Sequence, residues 1–135
     1  MLFRSDRNMA AFRVKVERLT AGLNKIADIR CIEPTSTFYV FPNVAPICNR
    51  LAITSHGLAM YLLEGADDHF GVACLGGECF GDAGQGFLRF SCAEPNDRIQ
   101  KAIDFLPQAF ARTDRVQAYL DKNPQFRLTT PYSEG

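Results

Sequence analysis

Between about Met9 and Ile26 the large apolar residues Phe12, Val16, Leu19, Leu23 and Ile26 recur at intervals of four, three, four and three. That spacing aligns them along one stripe of a helix. Arg13, Lys15, Glu17 and Arg18 fall mostly off the stripe, so their charges read as a solvated face. Gly22 costs such a helix about 1 kcal/mol relative to alanine, a flaw that a helix of this length tolerates. An apolar stripe must be covered by another element, and the chain that follows changes period to supply one.

Ile29–Ile32 is short and apolar, Glu33-Pro34-Thr35-Ser36 interrupts it, and Thr37-Phe38-Tyr39-Val40-Phe41 resumes with aromatic and β-branched residues. Two strands joined by a turn is the simplest account. Pro42, Pro46, Asn43 and Asn49 predict a loop, after which Ser55 is expected to cap a helix that turns Leu58, Leu62 and Leu63 to the core and ends near Gly65. Phe70–Leu75 reads as a third strand and Gly86–Cys92 as a fourth, joined by a glycine-rich connection. Pro95 is placed at the first position of a last strong helix with Ile99, Ile103, Leu106 and Phe110 on one face, and Pro107 is expected to kink it. A brief amphipathic piece then holds Val116 and Leu120, and Asn123-Pro124 leads into a tail, Arg127 to Gly135, expected to lose order at its end. This order predicts an α+β fold of two layers: a small antiparallel or mixed sheet of three to four strands with helices packed on it.

A chain of 135 residues suffices for one hydrophobic core and is short for two domains. Fifteen basic and fifteen acidic residues cancel, which leaves no electrostatic footprint for nucleic acid or an anionic membrane. No stretch approaches the roughly 20 apolar residues of a spanning helix, and the first residues lack a signal-peptide core, so a cytoplasmic setting is expected. Cys31, Cys48, Cys74, Cys79 and Cys92 are odd in number and scattered in apolar stretches, the pattern of reduced, buried thiols. Their spacing, with His56 and His69 isolated, argues against a metal site.

Two segments offer chemistry. Gly76-Gly77-Glu78-Cys79-Phe80-Gly81-Asp82-Ala83-Gly84-Gln85-Gly86 resembles a phosphate-cradling loop, but it runs strand to strand rather than into a helix and lacks the lysine such a loop uses. Its glycines read better as backbone geometry between strands. Arg89 lies within Phe87-Leu88-Arg89-Phe90-Ser91-Cys92, a strand otherwise apolar or small. A guanidinium there requires an anion, and from a rigid strand it can hold a carboxylate through two parallel hydrogen bonds. By pattern alone, an exposed sheet-face arginine, or one paired with Glu78 or Glu94, accounts for it as readily.

Four features in order extend the reading. They are Asn8-Met9-Ala10-Ala11-Phe12-Arg13 with Leu19 and Gly22-Leu23-Asn24; Thr37-Phe38-Tyr39-Val40-Phe41-Pro42; Gly71-Val72-Ala73 leading to Phe80-Gly81 and Gly84-Gln85-Gly86; and Phe87-Leu88-Arg89-Phe90-Ser91. Together, over residues 8–111, they resemble the C-terminal small domain of pyridoxal-phosphate-dependent aminotransferases of the aspartate aminotransferase superfamily, class I/II, fold type I. The resemblance implies that residues 1–112 are that domain, with 113–135 as a C-terminal extension. It implies that Arg89 grips the substrate α-carboxylate, with Phe38 and Tyr39 as candidates to line the closing surface. Ser36-Thr37 and Leu75-Gly76-Gly77 depart from the family's Gly-Ala and Pro-Gly-Ser/Thr, which points to a shifted substrate preference or a side branch.

The family's cofactor-bearing lysine, the aspartate at the pyridine nitrogen and the phosphate clamp belong to a large domain whose motifs are not in this sequence. No catalytic or cofactor-binding residue is therefore expected in this chain, which alone should neither hold pyridoxal 5'-phosphate nor transaminate. The implied partners are an amino acid or 2-oxo acid, the large cofactor-binding domain, and a second subunit of the full enzyme. The competing reading is a non-catalytic aminotransferase-like module for ligand sensing or protein association.

Overall fold

The computed structural model describes residues 5–31 and 39–134. The Glu33–Ser36 turn, Thr37 and Phe38 lie outside the described residues, as does the side chain of Phe12. The first helix, α1 (Ser5–Asn24), buries Val16, Leu19 and Leu23 along the expected stripe. Gly22, a flaw by propensity, has a packing reason. A Cβ there would come within 2.6 Å of the Ile103 side chain, so the missing methyl lets α1 and the helix bearing Ile103 approach closely. Past the helix end, the Asn24 amide donates to and accepts from the backbone of Cys31, both at 2.7 Å, and closes the turn.

The sheet is smaller than the apolar runs suggested. Its strands are β1 (Tyr39–Val40), β2 (Leu75–Gly76) and β3 (Leu88–Ser91), antiparallel in the order β1-β3-β2. The expected Ile29–Ile32 strand is represented by a single bridge, Arg30 to Asn43, and most of Phe70–Leu75 runs beside the sheet without pairing. Register places Tyr39 opposite Ser91 and Leu75 opposite Arg89. In β3, Leu88 and Phe90 are buried, whereas Arg89 is half-buried and Ser91 exposed. Side chains alternate across a strand, so one sheet face meets the helices and the other carries Arg89.

The expected 42–49 loop instead contains a helix, α2 (Ala45–Leu51), with Pro46 at its start, where a missing amide breaks no bond. Asn43 accepts the Ala45 amide at 2.9 Å. Next comes α3 (Ser55–Met60), capped by Thr54 rather than Ser55: the Thr54 hydroxyl accepts from Gly57 at 3.0 Å, and Ser55 is wholly buried. The helix widens into a π-turn, Tyr61–Gly65, which buries Leu62 but rotates Leu63 out to 48% exposure. Tyr61 fills the core and donates from its hydroxyl to the Ala109 carbonyl at 2.8 Å.

The last two helices are α4 (Asn96–Ala111), which continues through Pro107, and α5 (Thr113–Lys122). Pro95 caps α4 from outside, one place before the expected position. In α5, Val116 and Leu120 are fully buried in the same core as α1 and α3, each side chain contributing about 1.5–3 kcal/mol of apolar burial. The tail is tied back. The Leu128 amide donates to the Ala52 carbonyl at 2.9 Å, and Asn49 bonds both backbone groups of Tyr132, at 3.0 and 2.8 Å. Arg112 and Arg115 at the α4–α5 junction hold Asp67 and Asp68, each at 2.9 Å, across the end of the π-turn.

Asp67 accepts the His69 amide and the Arg112 guanidinium, and these hold its carboxyl below the usual carboxylate range. A depressed folded-state pKa contributes stability above the unfolded value of about 4 that is lost as pH falls through the folded one. Asp67→Asn should therefore lower the melting temperature at pH 7 and converge with the parent as pH falls through the depressed pKa of Asp67, as thermal scans across pH will show. Gly77 and Gly84 meet backbone to backbone, whereas Gly81, at φ 112°, has open space around its α-carbon. Gly77→Ala should cost about 3 kcal/mol or more in urea unfolding and Gly81→Ala only about 1–2 kcal/mol, the first through a clash that nothing relieves and the second through conformation alone.

Candidate functional site: a half-buried arginine on the open sheet face

The central strand sets the site. β3 is paired on both sides, which fixes its backbone, and its alternation leaves Arg89 in the middle of the uncovered face. The guanidinium carbon lies 4.2 Å from the centre of the Tyr39 ring and 4.6 Å from that of Phe80. Both distances are those of cation–π contact, worth about 0.5–2 kcal/mol each. The rings restrain the long side chain. Among the described residues the guanidinium has no hydrogen-bond acceptor and no carboxylate partner.

Neither carboxylate that pattern reading offered as a partner forms an ion pair with Arg89. Glu78 turns away to the start of α3, where it accepts the His56 amide at 2.9 Å and the Ser55 hydroxyl. The Glu94 backbone carbonyl accepts from Lys15 at 2.6 Å. A restrained guanidinium with free donors is a receptor for a planar anion such as a carboxylate.

Around it the face is apolar. Leu75, Arg89's register partner, is 41% exposed, Phe41 is 42% exposed and Phe80 is 50% exposed. Phe41 and Phe80 meet edge to face at 6.3 Å. Large apolar groups gathered at the surface around one charged group mark a binding face.

The glycine-rich connection folds as two 3-10 turns, Gly77–Phe80 and Asp82–Gly84, and presents no helix N-terminus. It brings Phe80 to Arg89. Of the residues singled out by resemblance, Arg89 and Tyr39 come together at this site and Phe38 lies outside the described residues. Sequence reasoning passed over Phe80 as a contact, because it is nine residues away in the chain and only the turn of the loop returns it to Arg89. The Phe80-Gly81 step was its one signal, since Gly81 at φ 112° allows the reversal.

Residues 5–106 match the family model for aminotransferases of class I and II. The chain belongs to that family, whose full-length members are pyridoxal-phosphate-dependent. Among curated proteins it is 35% identical over 100 residues to an aspartate/prephenate aminotransferase of Nitrosomonas europaea, an alignment covering 69% of this chain and 24% of that one. It is 30% identical over 87 residues to an aspartate aminotransferase of Pyrococcus horikoshii, covering 64% and 20%. In solved structures, an alanine aminotransferase from Pyrococcus furiosus superposes with a TM-score of 0.65 at 20% identity, over 78% of this chain and 25% of that one. An aspartate aminotransferase from Rhizobium meliloti gives 0.59 at 26% identity, over 78% and 26%. The chain thus spans about a quarter of the length of these relatives.

The side chains ranged on the open face, Tyr39, Phe41, Leu75, Phe80, Arg89 and Ser91, include neither an amine nor a carboxylate. They do not fit a pyridoxal phosphate site, which requires both. Acetate added to the isotope-labelled chain should shift the amide signals of Tyr39, Leu75 and Arg89 saturably, and Arg89→Lys should weaken this binding about tenfold by replacing a two-pronged contact with a point charge. Nuclear magnetic resonance titration of both proteins measures it.

Proposed function

We propose that this chain is the small domain of a pyridoxal-phosphate-dependent aminotransferase, in which Arg89 holds the α-carboxylate of an amino acid and of its 2-oxo acid product. The observation that carries the reading is the guanidinium between Tyr39 and Phe80 on an open sheet face, its N–H donors without a partner among the described residues. The covalent work belongs to a large domain carrying the lysine and the cofactor, and residues 1–112 form the unit that closes on it. The cofactor, when bound there, withdraws electrons from the substrate α-carbon. This chain's share is to orient that carbon by its carboxylate and to exclude water.

Three properties of the site support the assignment. A carboxylate paired with Arg89 exchanges hydration for two charge-assisted hydrogen bonds, which fixes its orientation as well as its position. The rings of Tyr39 and Phe80 limit the rotamer freedom that Arg89 must give up on binding. Phe41, Leu75 and Phe80 offer apolar area to whatever covers the face, and a cofactor-bearing domain would bury it against the substrate. Family members take amino acids and 2-oxo acids and act as dimers, and we assign this chain to such an assembly.

A hybrid tests the reading: the cofactor domain of the Nitrosomonas relative joined to this chain in place of its own small domain. Transamination by the hybrid is expected, with Arg89→Lys lowering kcat/KM for the amino acid about a hundredfold while the absorption of the bound cofactor is unchanged. Equal kcat/KM for the two hybrids would remove Arg89 from the site. A stable absorption band on mixing the isolated chain with pyridoxal phosphate, mapping to one of its own lysines, would overturn the division of labour.

A further inference from the structure

Tyr132 belongs to a stretch beyond residues 5–106, the part shared with the family, yet its hydroxyl reaches the loop that completes the Arg89 site. There it accepts the Ser55 amide at 3.1 Å and donates to Glu78 at 3.3 Å. Glu78 also accepts from the Ser55 hydroxyl and from the His56 amide, at 2.9 Å. The Ser55 hydroxyl in turn accepts the Gly86 amide at 3.0 Å. Each hydroxyl donates once, and Glu78 takes three donors, so the network is self-consistent. Burial raises the Tyr132 hydroxyl above its ordinary pKa and keeps it a donor.

Glu78 and Gly86 are the two feet of the loop whose crest carries Phe80. Between those feet, among the described residues, the loop is held by backbone bonds, Gly81 to Glu78 at 3.2 Å, Gly84 to Gly81 at 3.0 Å, Gln85 to Asp82 at 3.2 Å and Phe87 to Gly84 at 3.0 Å, and by the close approach of Gly84 to Gly77. Phe80 is half exposed and meets Phe41 edge to face, and residues 81–83 are exposed, so the ring's place against Arg89 depends on where the feet of the loop are held. Asn49, bonding both backbone groups of Tyr132, and Leu128, whose amide bonds Ala52, hold the tail in the position that makes this contact.

We propose that Tyr132 is a positioning residue for the Arg89 site: through Glu78 and Ser55 it sets the glycine loop so that Phe80 lies on the guanidinium. The proposal rests on the reading of Arg89 as a carboxylate holder and extends it, because it makes residues 127–134 part of the binding apparatus. Loss of the Tyr132 hydroxyl leaves Glu78 with one donor fewer and frees the loop to move. Phe80 then leaves Arg89, whose side chain must be ordered by the ligand instead, and affinity falls.

The test uses the whole chain, isotope-labelled, with acetate as the probe, and compares Tyr132→Phe, Phe80→Ala and Val116→Ala with the parent. The Arg89 Nε–H signal is read first without ligand, since two flanking rings shift it upfield. Tyr132→Phe is expected to move that signal toward its position in Phe80→Ala and to weaken acetate about three- to tenfold. Val116→Ala, a core truncation remote from the loop network, should lower the melting temperature yet leave both readings at parental values. A parental Nε–H signal in Tyr132→Phe overturns the proposal, as does a Val116→Ala protein that shows the same displacement. If the parent itself fails to bind acetate, the carboxylate reading of Arg89 falls, and the unliganded signal still decides whether Tyr132 positions Phe80.

Discussion

Four residues of β3 carry two opposed requirements. Leu88 and Phe90 must enter the core, so the strand has to lie flat against the helices, and Arg89 between them must then point to the other side. Because β1 and β2 pair on both edges, the backbone cannot slip without turning Arg89 inward and both apolar residues outward. The charged group is thereby held on the open face by the hydrophobic effect acting on its neighbours. Everything else at the site adapts to that placement.

A half-buried guanidinium with no carboxylate beside it among the described residues would be costly on an ordinary surface of protein. Here Tyr39 and Phe80 share the burden, one ring delivered by a register partner strand and the other by a loop. Their rings lie 4.2 and 4.6 Å from the guanidinium carbon, and among the described residues its N–H groups have no acceptor. The glycines of the loop serve this end. Close backbone packing of Gly77 on Gly84 and the left-handed φ of Gly81 and Gly86 give a tight reversal that lands an aromatic ring nine residues back along the chain.

Much of the scaffold was legible. The α1 stripe, the π-turn's end at Gly65, the face of α4 and the four-residue spacing that buries Val116 and Leu120 follow from apolar spacing, which responds only to local geometry. Failures occurred where local signals compete. Pro46 and two asparagines resembled a loop because both residue types also start helices, and α2 begins there. Phe70–Ala73 has strand composition yet does not pair, since β3 meets β2 only at Leu75 and Gly76. Propensity offers a strand its conformation, and only a partner gives it hydrogen bonds.

By itself the sequence determined the class of fold, the presence of Arg89 on a strand and, through ordered motifs, its kinship with aminotransferases. These rest on neighbours in the chain and on residue order, which need no folding to be read. Tertiary structure alone decided that Arg89 lies between two aromatic rings, that Glu78 turns to α3, and that Tyr132 reaches the glycine loop from 54 positions away. Those contacts join residues far apart in sequence, and their energies depend on distances that only the packed core sets.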